Sequence, residues 1–107
     1  MRYRRGWGGR GRPPKPVSLG QIPAQTSFIP TKLKNRNPVH LYASELEAMR
    51  LVDKDSLEQK DAGKQMGVSR GTVWRLLQSG RKKVITALTE SRPLVIVVKD
   101  ETPPEKQ

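Results

Sequence analysis

Two helix-forming segments separated by Gly67-Val68-Ser69 constrain this chain more than any other feature in it. The stretch Gln59 to Met66 ends on Gly67, a residue suited to the left-handed position that closes a helix. Ser69 then stands where the next helix needs an N-cap, ahead of Arg-Gly-Thr-Val-Trp-Arg-Leu-Leu. Ala62, Met66, Val68, Val73, Leu76 and Leu77 are spaced to share one small core. Gly63 falls where the two helices must cross closely, a need it meets at a propensity cost of roughly 1 kcal/mol against alanine. Two helices joined by a short glycine-containing turn have the pattern of a helix-turn-helix, whose second helix lies in the major groove of DNA.

The second helix should run well past that motif, because Val73, Leu76/Leu77, Gly80, Val84 and Ala87/Leu88 hold one apolar face for five turns. At 100 degrees per residue the opposite face is Gly71, Trp74, Arg75, Gln78 and Lys82, flanked by Arg70, Thr72, Arg81 and Lys83. Ser69 to Thr89 contains no acid, whereas a merely solvated helix mixes signs. Chemistry suggests the roles. Ser69 and Thr72, near the positive helix N-terminus, suit phosphate. Arg70 and Arg75 suit bidentate bonds to guanine or phosphate, and Gln78 suits adenine or a backbone oxygen. Trp74 is sized for a thymine methyl, although the N-terminal segment or a second subunit would cover it equally well. Arg81, Lys82 and Lys83 lie further along, where phosphate is nearer than bases.

Upstream, Ala43 to Val52 reads as a supporting helix with Leu46 and Met49, and Val52 or Ala43, on one face. Ser56 and Gln59 have capping-box spacing for the helix that follows. Glu47, Asp53 and Asp55 read as solvated acids at a helix end rather than a metal or acid–base site. Three stretches have strand composition: Thr26 to Ile29, Pro38 to Leu41, and the β-branched LVIVV of Leu94 to Val98. The last needs cover, either from one of the other two or from its twin in a dimer, since an exposed apolar edge invites aggregation.

Charge is unevenly spread. Residues 1–36 carry nine bases and no acid, while residues 37–107 carry twelve bases and ten acids, so the N-terminal arm supplies most of the +11. That asymmetry points to a polyanion, nucleic acid before membrane, since no basic amphipathic helix with an aromatic face is evident. Met1 to Pro16 has almost no aliphatic side chains and reads as disordered when free. Within it Arg10-Gly11-Arg12-Pro13 resembles the core of an AT-hook, with Arg10 and Arg12 directed into a narrow A·T minor groove. The arm also resembles an arginine-glycine RNA-binding tail, with Tyr3 and Trp7 for base stacking.

Other classes are disfavoured. The chain has no cysteine and a single histidine, His40, which reads as a packing or surface residue. No metal or cofactor is therefore expected. No nucleophile–base pair or phosphate loop suggests an enzyme. No run approaches the ~20 apolar residues of a membrane helix, and no signal peptide is apparent, so a cytoplasmic, nucleoid-associated location is expected.

Leu41 to Val98, through Leu46 to Leu51, Met66 to Arg70, Thr72, Arg75 to Leu77, Lys83-Val84 and the closing strand, resembles a small, uncharacterised prokaryotic family of predicted DNA-binding proteins. Its helix-turn-helix is similar to region 4 of the primary bacterial sigma factor, with Ser69 to Val73 and Arg81 to Val84 matching that region's recognition helix. Glu58, Gly63 and Gly71 depart from the family's serine, alanine and proline, which implies a less stable first helix whose start shifts to Ser56.

The expected architecture is mainly α: a three-helix, sigma region-4-like helix-turn-helix domain over residues 26–98 with a short β-strand element. A disordered basic arm (1–25) precedes it and a polar tail (99–107) follows. The expected function is sequence-specific binding of double-stranded DNA in transcriptional regulation, as a homodimer joined through Leu94 to Val98. The rivals are non-specific architectural DNA or RNA binding through the arm, and docking on RNA polymerase.

Overall fold

The computed structural model describes residues 19–20 and 26–98. Apart from residues 19–20, the expectations for the arm, Arg10 and Arg12 included, and for the tail lie outside these residues. Their order is strand β1 (Ser27–Phe28), β2 (Val39–Tyr42), helix α1 (Ala43–Met49), a π-helical turn (Arg50–Lys54), α2 (Gln59–Met66), α3 (Arg70–Thr89) and β3 (Leu94–Val97). The described chain is mainly helical, with one small three-stranded sheet.

The sheet answers the question set by LVIVV. β3 lies in the middle, antiparallel to β1 (Ser27 opposite Val95) and parallel to β2 (Val39 opposite Leu94, Leu41 opposite Ile96). β2 pairs with it along its whole length and β1 along its first half, so the expected dimer through this strand is corrected: its cover comes from within the chain. A parallel pair requires a crossover connection, and here the crossover consists of all three helices. Val39, Leu41 and Ile96 are buried on the sheet's inner face, while His40 is exposed.

α1 starts directly on the last residue of β2. The Tyr42 N–H, one of the donors a helix start leaves unpaired, donates to Glu45 Oε1 at 2.9 Å. The expected apolar face of this helix is rotated. Ala43, Ala48 and Leu51 are buried with Glu45 and Glu47, while Leu46 and Met49 are only partly covered. Periodicity ranks carboxylates as outward, but here each finds a cation: Lys83 for Glu45 and Arg50 for Glu47. Glu47 is therefore no solvated acid. Asp53 and Asp55 are exposed, as expected, although each also holds an arginine.

The helix then widens. Asp55 N–H donates to Arg50 O at 2.9 Å and Leu57 N–H to Leu51 O at 2.9 Å. The chain leaves through Ser56 at φ 61°, a left-handed conformation that an N-cap residue does not adopt. The expected Ser56 capping box is thus absent, and Glu58 takes the N-cap position through its backbone, its O accepting from Asp61 and Ala62 N–H.

Gly67 closes α2 at φ 74°. Val68 N–H donates to Gly63 O at 2.9 Å, and a Cβ on Gly63 would sit 2.7 Å from Val68 O. The close approach at Gly63 is thus to the turn itself. Ala48, Leu51, Ala62, Met66, Val73, Leu76 and Leu77 form the buried centre, with Met49, Val52, Leu57 and Val68 packed around it. The apolar stripe of α3 stays buried to Gly80 and again at Ala87. Leu88, expected within it, is 70% exposed, because the stripe turns past the end of the core.

Candidate nucleic-acid interface

The start of α3 is fixed by its own side chains. Ser69 Oγ accepts from Thr72 N–H at 3.1 Å and donates to Thr72 Oγ1 at 3.0 Å, which satisfies one of the helix's unpaired donors. Arg75 Nη2 donates to the same Thr72 Oγ1 at 3.5 Å. Ser69, Thr72 and Arg75 therefore form a connected row along the first turns. The helix dipole leaves partial positive charge at this end, adding to the arginines there.

Gly71, Trp74, Arg75, Gln78 and Lys82, the face predicted to lie opposite the core, are all exposed, as are Ser69 and Arg70. Thr72 is partly covered. Trp74 keeps 47% of its surface in solvent, and the position a Cβ would take on Gly71 has no atom nearer than 3.9 Å, so the backbone there is open to close approach. Arg70, Arg75 and Lys82 have no carboxylate partner among the described residues.

The two remaining cations of the predicted set sit differently. Arg81 is held by Asp53 through two bonds, Nη2 to Oδ1 at 2.7 Å and Nε to Oδ2 at 3.1 Å. Hydrogen bonding to Asp53 raises the pKa of this guanidinium above its ordinary value. Lys83 lies over the Tyr42 ring, 4.4 Å from its centroid, and donates to Glu45 Oε1 at 2.9 Å. Glu45 is fully buried and also accepts from Tyr42 N–H and Ser79 Oγ. Lys83 is thus the counter-ion of an interior carboxylate. A second buried carboxylate, Glu47, accepts from Arg50 Nε and Nη2 and from Gly20 N–H.

Sequence reasoning passed over one feature of the surface. Lys60 and Lys64 on α2 are exposed and, among the described residues, unpaired. Their i,i+4 spacing places them on one helix face and was legible beforehand. Among the described residues there is no group of three or more His, Cys, Asp or Glu able to hold a metal ion, and no helix long and apolar enough to cross a membrane.

Comparison with known proteins agrees with the expectation of an uncharacterised prokaryotic family. A UPF0251 protein of Pyrococcus furiosus is 46% identical over 92 residues, covering 83% of this chain and 85% of its own. Another from Thermococcus kodakarensis is 48% identical over 82 residues, covering 74% and 73%, and one from Archaeoglobus fulgidus is 39% identical over 87 residues, covering 81% and 83%. No solved structure matches the chain. The family described as Protein of unknown function DUF134 matches residues 3–101, nearly the whole sequence, and the chain belongs to that family.

Proposed function

We propose that this protein binds double-stranded DNA sequence-specifically, as a transcriptional regulator, with α2, the Gly67-Val68-Ser69 turn and α3 acting as a helix-turn-helix of the sigma region-4 kind. The observation that carries the reading is the outward strip of α3. Three cations without a described acidic partner, an exposed indole and a carboxamide lie along its first four turns, and no carboxylate stands among them. A helix carrying that strip presents bidentate donors at base-edge height and has nothing to repel phosphate.

Within this reading Ser69 and Thr72 hold a phosphate at the helix start. Arg75 and Gln78 read base edges, Arg70 reads a base or clamps phosphate, Trp74 packs on a thymine methyl, and Lys82 meets the backbone. The open approach at Gly71 lets the helix sit close. The basic arm, with Arg10 and Arg12, adds affinity that falls with salt and carries little sequence information outside A·T-rich minor grooves. Arg81 and Lys83 serve the fold first, and their distance from the helix start makes any DNA contact one to phosphate.

The test is selection from a random duplex library by the full chain and by Arg75→Ala, at two salt concentrations. An enriched motif for the parent, relaxed at one position in the variant, supports the reading. Salt-sensitive binding without a motif, competed equally by single-stranded RNA, would replace it with an arm-driven RNA or architectural role. A polymerase-docking role would show as duplex affinity indifferent to charge reversal at both Arg75 and Lys82.

A further inference from the structure

Past Lys82 the next exposed positions of α3 are apolar. Ile85, 57% exposed, continues the outward strip, and Leu88, 70% exposed, is the end of the apolar stripe where it runs past the core. Beside Leu88 lie Phe28 and Ile29 of the β1 segment, 50% and 63% exposed. Between helix and strand is a groove of about 240 Å³, floored by Ala87 and Leu94. Its one charged lining residue, Arg92, is paired with Glu90 at 3.0 Å and bonded to Asn37 O at 2.8 Å.

We infer that this apolar end of α3 is a homodimer interface, with Leu88 at the two-fold axis and its side chain, or that of Ile85, entering the partner's groove. Size is the first argument. The four side chains expose on the order of 500 Å² of apolar surface, as large as the biggest patch on a typical monomer and over half of the ~800 Å² a partner gives to a standard interface. Charge is the second. Two copies of a chain of net charge +11 repel overall, and contact is least opposed where the surface is neutral.

Geometry is the third argument, and it rests on the DNA reading above. Arg75 and Leu88 are thirteen residues apart on one continuous helix, which at 1.5 Å per residue is about 20 Å. Two copies meeting at Leu88 place their Arg75 side chains up to ~40 Å apart, and a modest inclination of the helices brings this to the 34–36 Å between half-sites on one face of B-DNA. The recognition ends then enter successive major grooves while the apolar ends lift off the duplex and meet.

The decisive experiment needs no DNA. Sedimentation equilibrium of the full chain, at low and high salt, should give a monomer–dimer equilibrium with Kd on the order of 10 μM, in the weak range expected for an interface of this size. Leu88→Glu and Ile85→Lys, both at exposed positions that leave the core untouched, should each weaken it at least tenfold. Salt should strengthen the dimer by screening repulsion, the opposite of its effect on DNA binding. Because the chain has no cysteine, Leu88→Cys offers a single thiol that should oxidise to a disulfide-linked dimer, whereas Lys60→Cys should not.

A monomer at all concentrations up to about 500 μM, well above the predicted Kd, would overturn the interface. So would a dimer indifferent to both substitutions and to cross-linking at position 88. Failure here is distinguishable from failure of the DNA reading. A monomer that selects a single non-palindromic motif refutes the interface alone, and a Leu88-dependent dimer that selects no motif upholds it while removing the DNA assignment.

Discussion

Arg81 and Lys83, on the two flanks of α3, and Arg70, Arg75 and Lys82, which carry no described ion pair, are the same chemistry put to different use. The first pair faces α1 and the turn after it, where Asp53 and the buried Glu45 hold them. The second set faces outward and has no described acidic partner. A count of basic residues on the helix would treat all five as one binding surface. The fold takes two of them for itself, and what it leaves is a narrower strip confined to the first four turns.

Breaking the inner pair should have the largest effect. Lys83→Met removes the only cation among the described residues that is bonded to Glu45, a carboxylate with no exposed surface. Loss of one partner from a buried pair costs 3–5 kcal/mol, and the partial exposure of Lys83 moves the expectation to about 2–3 kcal/mol. For a domain this size that is a fall in Tm of roughly 10–20 °C. Adding Glu45→Gln should recover most of it, because the amide needs no counter-ion. Calorimetry of the two single variants and the double would measure both, and a Lys83→Met protein as stable as the parent would return that lysine to the outward set.

On the outward side the expectation is reversed, with binding changed and stability untouched. Arg75→Ala should leave Tm within about 2 °C, since its contact within the chain is a long bond to Thr72 and surface substitutions are usually worth under ~0.5 kcal/mol. Its cost on a selected duplex should be about 1–3 kcal/mol, concentrated at one base pair. Titration of a panel of single-base variants separates the two roles of arginine, because equal losses on every duplex would mean that Arg75 grips phosphate only.

The geometry that aims this strip can be tested at the turn. Gly67 has φ 74°, and a Cβ there would meet no atom within 4 Å. Only backbone conformation therefore opposes a side chain at this position. Gly67→Ala should cost about 1 kcal/mol, read by denaturant unfolding with an unchanged m-value. A loss several times larger would mean that the turn is packed more tightly than its open surroundings indicate.

How much of this was legible follows from how far apart the determinants lie. The Gly67 turn, the Ser69 cap and the core positions Ala62, Met66, Val73, Leu76 and Leu77 are local, and spacing alone located them. Exposure along Gly71, Trp74, Arg75, Gln78 and Lys82 followed from the same periodicity. The rotation of α1 did not, because Glu45 and Glu47 become interior residues only through partners, one of them 38 residues away. The π-helical turn was equally hidden, since RLVDK carries no signal for an extra residue per turn. For LVIVV the composition required a covered strand but could not choose between neighbours. An unbroken apolar run has no alternation to fix a face, and the structure uses both candidates at once.

Lys82 gives the smallest expected effect and the sharpest test of the division between the two sets, because it sits between Arg81 and Lys83 in sequence yet points outward between their two flanks. Lys82→Ala should change stability by less than ~0.5 kcal/mol. It should weaken binding to every duplex alike and lower the slope of log K against log salt by about one, the signature of a single lost phosphate contact. Arg81→Ala provides the contrast: loss of its ion pair with Asp53, half-exposed on both sides, should cost under ~1 kcal/mol of stability and leave the salt slope unchanged. Were Arg81→Ala instead to lower the slope as Lys82→Ala does, Asp53 would be a partner that DNA displaces. The binding surface would then extend onto the flank of α3, and the fold's claim on that arginine would hold only in the free protein.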